Sequence, residues 1–135
     1  MKGIVPVVAM MALGAWSGDA AAAVVWNCEV LHSYGLGAAG AHEQDRANTY
    51  IGDRFTANDD TGEVNGPHLG EARGWRSVKR RFGPDQDGFQ AVYSSGDRQL
   101  RHLYIESFAA GAAKPFMFVE LDIGATRTGT CRAGK

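Results

Sequence analysis

The sequence predicts a mainly β domain, a small antiparallel sandwich or barrel of six or seven strands with at most one short helix. Three observations carry that expectation. Short runs of apolar and β-branched residues recur along the chain, set apart by turn chemistry at intervals of about eight to twelve residues. No segment after residue 24 sustains a helical apolar period over three turns. Phe89, Ala91 and Tyr93 alternate with Gln90 and Val92, which is the period of a half-buried strand.

Each element follows in order. Residues 24–31, Val-Val-Trp-Asn-Cys-Glu-Val-Leu, read as a first strand. The small residues of 35–41 read as a loop, and the polar stretch 42–48 holds at most one helical turn. Residues 50–57 suit a second strand that ends in Asn58-Asp-Asp-Thr-Gly62, where Asn and Asp bond their own backbone and Gly supplies positive φ. Val64 starts a short return, which Asn65-Gly-Pro67 stops. Residues 75–82, 89–94, 100–106 and 115–121 are four further strands, separated by the turn-forming stretches 83–88, 95–98 and 108–114. Phe116-Met-Phe-Val119 is continuously apolar, as in a strand covered on both faces. Thr128-Gly-Thr-Cys131 closes the domain beside the first strand.

The opening residues stand apart from this pattern. Lys2 precedes an apolar run over 4–16, and small residues with Ala-x-Ala at 20–22 and 21–23 follow. That is the build of a secretory signal peptide over 1–23, too short to anchor in a bilayer. Residues 24–135 are then one domain of about 112 residues, in the periplasm or outside the cell. The whole chain has 14 Lys and Arg against 15 Asp and Glu, a net charge of −1. Size and charge exclude a multidomain enzyme, a membrane-spanning protein and a globally basic nucleic-acid binder.

Two cysteines, Cys28 and Cys131, flank the domain. In an oxidising compartment an even pair becomes a disulfide, and closing a loop of about 100 residues contributes up to about 4–5 kcal/mol on the chain-entropy model. Four residues separate Cys28 from the cleavage point, which argues against lipidation. No C-x-x-C pair or short-spaced zinc set is present.

Phe55-x-x-Asn58-x-x-Thr61-Gly62-x-x-x-Gly66, Lys114-Pro115-Phe116 and Thr128-Gly-Thr-Cys131 together resemble a family of small uncharacterised secreted proteins of Gram-negative bacteria. In that family the first segment reads Phe-x-x-Asp-x-x-Thr-Gly, so Asn58 stands where the acid would be. The resemblance implies an exported β domain and no particular activity.

No residue pattern points to catalysis. A Gly-x-Ser-x-Gly turn is absent, and His32, His42, His68 and His102 lack the spacing that sets two ligands or a base on one face. Asp59, Asp60 and Glu63 crowd one turn and read as solvated rather than as a glycosidase pair. Asp85-x-Asp87-Gly88 echoes a calcium loop but lacks the third acid and the bidentate Glu. We expect no cofactor and no metal.

The strongest anomaly is a basic run: Arg73, Arg76, Lys79, Arg80 and Arg81 place five cations within nine residues and no acid. On a strand over 75–82, cations would line both faces near the end, which suits an edge strand guarded against aggregation. The same cluster would also serve as an anion-binding patch. Trp26, Tyr34, Tyr50, Trp75, Tyr93 and Tyr104 read as core and cross-strand pairs, or as the lining of a barrel mouth around a small ligand. The functional expectation is a non-catalytic exported binding or accessory module, not an enzyme, with Arg73–Arg81 as contact surface for an envelope protein or an anionic ligand. The alternative is a small periplasmic inhibitor of a hydrolase such as lysozyme, which would insert the loop at 108–114 or at 58–63.

Overall fold

The computed structural model describes residues 23–44, 49–69, 72–78, 88–96 and 99–134. The proposed signal segment, the calcium-like turn and Lys79, Arg80 and Arg81 lie outside them, apart from Ala23 and Gly88. Nine strands form one antiparallel sheet: β1 (Val25–Leu36), β2 (His42–Gln44), β3 (Arg54–Asn58), β4 (Val64–Asn65), β5 (Trp75–Ser77), β6 (Phe89–Ser95), β7 (Gln99–Ile105), β8 (Lys114–Glu120) and β9 (Ala125–Ala133). The strand order is β4-β3-β1-β9-β8-β7-β6-β5, with β2 also paired to β1. One 3₁₀ turn, Ala72–Gly74, precedes β5, and no α-helix occurs among the described residues.

The mainly β, antiparallel expectation holds, and the strand number is higher than six or seven. Two short pieces account for much of the difference. His42–Gln44 pairs with Tyr34–Leu36 as a strand instead of starting a helical turn, because β1 runs on past residue 31 and offers it a hydrogen-bonding edge. Val64–Asn65 pairs with Thr56 and Ala57 as β4.

β1 carries the architecture. Its outer half pairs with β3 from Val25 to Glu29, and its whole length pairs with β9 from Trp26–Ala133 to Tyr34–Thr126. The register slips between Val30 and His32, so Leu31 is the extra residue of a bulge and the inward parity changes. Trp26, Cys28 and Val30 face inward before it, and Ser33 after it. Gly129 stands opposite Val30, where a β-carbon would collide with the Glu29 carbonyl oxygen. Cys28 and Cys131 are direct register partners and are bonded to each other.

The sheet curls until its two ends nearly meet. Phe55 of β3 packs edge-on against Phe116 of β8 with ring centroids 5.1 Å apart, and Trp75 of β5 lies 5.8 Å from Phe118 of β8. Neither pair belongs to neighbouring strands, so both contacts span the interior. Among the described residues the seam between the ends has no strand ladder. Gly62, at φ 78°, comes so close to β5 that a β-carbon on it would collide with the Ser77 backbone nitrogen. The Trp75 indole N–H donates to the Leu69 carbonyl at 3.2 Å, a second tie across the seam. β5 thus has an edge position, as the basic run suggested.

Inward positions of each strand fill the barrel: Phe89, Ala91 and Tyr93 on β6, Leu103 and Ile105 on β7, Phe116 and Phe118 on β8. Met117 is exposed. The apolar run 116–119 is therefore covered on one face only, because a curled single sheet has one interior and no described residue covers Met117 outside β8. The turn at 58–62 forms as expected: the Asn58 side-chain oxygen accepts from the Asp60 and Thr61 backbone N–H groups at 2.9 and 3.2 Å. Asp59 is not idle there, since its Oδ1 accepts from the Val24 N–H at 2.7 Å and holds the start of the described chain.

Two outcomes test this account. Cys28→Ala with Cys131→Ala lowers unfolding free energy by about 2–5 kcal/mol, read by urea denaturation, while the native protein titrates with no free thiol. Gly62→Ala, which demands both a left-handed backbone and space that β5 occupies, costs about 1–3 kcal/mol, whereas Gly96→Ala, with open space around it, costs less.

Candidate anion-binding site

Three strands deliver charged side chains to inward positions at one end of the barrel. Arg101 shares its parity with Leu103 and Ile105 on β7, Glu120 with Phe116 and Phe118 on β8, and Arg127 with Gly129 and Cys131 on β9. Register sets them abreast: Arg101 opposes Glu120, and Phe118 opposes Arg127. All three are buried, at 9%, 3% and 2% relative exposure.

Glu120 serves both guanidinium groups. Arg127 donates from Nη2 to Oε2 at 2.8 Å, and Arg101 Nε lies 3.1 Å from Oε1 as a charge contact without hydrogen-bond alignment. The Arg127 guanidinium also lies over the Tyr50 ring, 3.6 Å from its centroid, and 5.2 Å from that of Phe118. Tyr93 flanks Arg101 at 5.5 Å. One carboxylate against two guanidinium groups leaves a buried excess of one positive charge. It also leaves Arg101 Nη1 and Arg127 Nε without a hydrogen-bond acceptor among the described residues. Buried donors in that state cost about 1–3 kcal/mol each unless water or a ligand meets them.

A cavity of about 370 Å³ opens over this cluster. Arg101, Glu120 and Arg127 line its depth, Tyr50, His68 and Gln99 its wall, and Asp122 and Ile123 its rim. His68 holds the one positive φ of a non-glycine among the described residues, 62°, and its ring meets Tyr50 edge-on at 5.4 Å. The charge is graded along the cavity, positive where it is buried and negative at the exposed Asp122. A second groove, of about 530 Å³, runs over the outer face of β1, β3 and β9. Its charged pair, Arg54 and Glu29, is exposed and separated by 3.6 Å, a geometry of little energetic weight.

Arg73 and Arg76 of the basic run do not line this cavity. Arg73 lies on the 3₁₀ turn and Arg76 on β5, both exposed, and the other three lie outside the described residues. Of the six aromatic residues, Trp26, Trp75 and Tyr93 are core, and Tyr50 alone lines the cavity. His32, Tyr34 and His42 stack along the outer face of β1 and β2, and His102 Nε2 lies 3.1 Å from Gln90 Oε1. Among the described residues no three His, Cys, Asp or Glu side chains gather as metal ligands, and no helix is long and apolar enough to cross a membrane. Arg101, Glu120 and Arg127 went unread in the sequence although a signal exists: each continues the parity of a core stripe.

No family model, curated protein or solved structure matches this chain.

Glu120 is the keystone of the cluster. Glu120→Gln leaves two guanidinium groups buried without a counter-charge and costs about 3–5 kcal/mol, read by thermal or urea unfolding. Exchanging Glu29 on the outer face for Gln changes stability by less than about 1 kcal/mol.

Proposed function

We propose that the protein is a non-catalytic, exported binding module of the bacterial envelope that receives an anionic group at the mouth of its barrel. One observation carries this reading: two guanidinium groups, buried against Glu120, Tyr50 and Phe118, keep donors that nothing among the described residues accepts. A carboxylate or phosphate oxygen meets such donors with charge-assisted hydrogen bonds. Arg101 and Arg127 join the basic run as candidate anion contacts, with Arg73 and Arg76 as exposed cations that raise the local concentration of anions. Export rests on the signal-like opening and on the disulfide, which persists in oxidising compartments.

Calorimetric titration with inorganic phosphate and with acetate tests the reading. Saturable binding is expected, weakened at least tenfold by Arg101→Met or Arg127→Met and unchanged within about twofold by Arg76→Glu. Absence of binding, or dependence on Arg76 alone, overturns it.

A second reading, the hydrolase inhibitor, is favoured by Phe108. That ring stands exposed on the β7–β8 loop, which is braced by the Lys114 ammonium donating to the Ala109 carbonyl and by Ala109 N–H donating to Glu106 at 3.0 Å. A braced loop with an exposed aromatic is built to enter a cleft. Inhibition of a lysozyme that Phe108→Ala abolishes would decide for it.

A further inference from the structure

Exposed aliphatic side chains stand near the cavity mouth, and Ile123 is one of its lining residues. Leu36, Leu121 and Ile123 are 62%, 59% and 62% exposed, with Leu100 and Ile51 also outward. The Leu121 N–H donates to the Leu100 carbonyl at 2.9 Å, which lays the β8–β9 turn beside the start of β7. A β-carbon on Gly124 would touch Leu36 at 3.2 Å, which brings the end of β1 to the same turn. Leu36, Leu100, Leu121 and Ile123 thus lie on segments that meet at one end, and a patch of exposed aliphatic side chains marks a surface that is covered in use.

The turn itself has a particular form. Leu121-Asp122-Ile123 presents one carboxylate between two exposed aliphatic side chains at the tip of a hairpin. Within one molecule Asp122 makes no ion pair among the described residues. The rim therefore offers an unpaired anion set in apolar surface, and the depth of the same cavity offers unmet cationic donors set in apolar surface. Each is the complement of the other, and within one molecule the structure shows no ion pair between them.

We propose that two copies of this chain dock mouth to mouth about a two-fold axis, the Asp122 carboxylate of each entering the cavity of the other toward Arg101 and Arg127, with Leu121, Ile123 and Leu36 packing around it. Two-fold symmetry makes such an interface isologous, so one self-complementary patch supplies both halves. An apolar ring that excludes water around a central charge pair is the arrangement in which such a pair contributes most. This interface rests on the anion-binding reading of the cavity and adds its regulation: an external anion and the second copy's Asp122 compete for the same donors. Ligand binding and dimer dissociation are then linked, and each weakens the other by the same factor.

Sedimentation velocity of the full chain, from low to high micromolar concentration in phosphate-free buffer, tests the interface. The wild type is expected to show a concentration-dependent dimer. Asp122→Asn and the double variant Leu121→Ser with Ile123→Ser each weaken association at least tenfold; both changes are confined to exposed positions, and thermal melts confirm that the variants fold. Added phosphate or acetate shifts the wild type toward monomer. A chain that is monomeric throughout, a dimer indifferent to both variants, or a rim that binds phospholipid vesicles through Leu121 and Ile123 without self-association overturns the proposal. Calorimetry on the Asp122→Asn monomer separates the two readings: phosphate binding there upholds the cavity whether or not the dimer forms, and its absence there removes the basis for both.

Discussion

The first and last strands of the described chain lie side by side from Trp26–Ala133 to Tyr34–Thr126, and every other strand depends on that pairing. β2, β3 and β4 join the sheet only through β1, while β5 to β8 join it only through β9. Contacts between residues so distant in sequence carry a large loop-closure cost before they return any stability. The Cys28–Cys131 bond falls within this register and removes part of that cost from the unfolded state. The disulfide and the pairing therefore reinforce one another: the strands bring the sulfurs into register, and the bond keeps the two halves of the sheet within reach. Across the opposite side the barrel is held by less, the close approach of Gly62 to β5 and one indole hydrogen bond to Leu69.

Closing a single sheet also decides where charge can be buried. At the disulfide end the inward positions are apolar, and at the other end Arg101, Glu120 and Arg127 occupy equivalent places. A buried triad of this kind seldom improves stability over apolar side chains of the same volume, because desolvating three charges costs several kcal/mol per ion. Its place beside the cavity, stacked on Tyr50 and short of acceptors among the described residues, is what the proposed anion-binding role rests on. The exposed aliphatic rim belongs to the same logic, since it supplies the apolar surround in which a charge contact gains strength.

A site that answers both to a small anion and to a second copy of the chain would report one through the other. Occupancy of the mouth would set the assembly state, and assembly would set the apparent affinity of the mouth. Such coupling needs no conformational change: two ligands compete for one set of guanidinium donors on a frame held rigid by the disulfide and the core.

Much of the fold was legible in the residues. Alternation at Phe89–Tyr93, turn chemistry at Asn58–Gly62 and the lack of a helical period determine a β domain, and the parity of β6 comes from local pattern alone. The pairing of Cys28 with Cys131 follows from there being two cysteines. Four features belong to the tertiary structure. His42–Gln44 is a strand only because the extended β1 offers it an edge. Met117 is exposed because one sheet curls instead of two sheets stacking. Ser33 faces inward because the bulge at Leu31 reverses the parity of β1. Arg101, Glu120 and Arg127 form a site because register across β7, β8 and β9 sets three separate inward charges abreast. In sequence the basic run at 73–81 outweighs them, since linear density of charge is visible there and depth is not. Local pattern depends on neighbours along the chain, which the sequence lists; burial and register depend on neighbours across the sheet, which only closure of the barrel chooses.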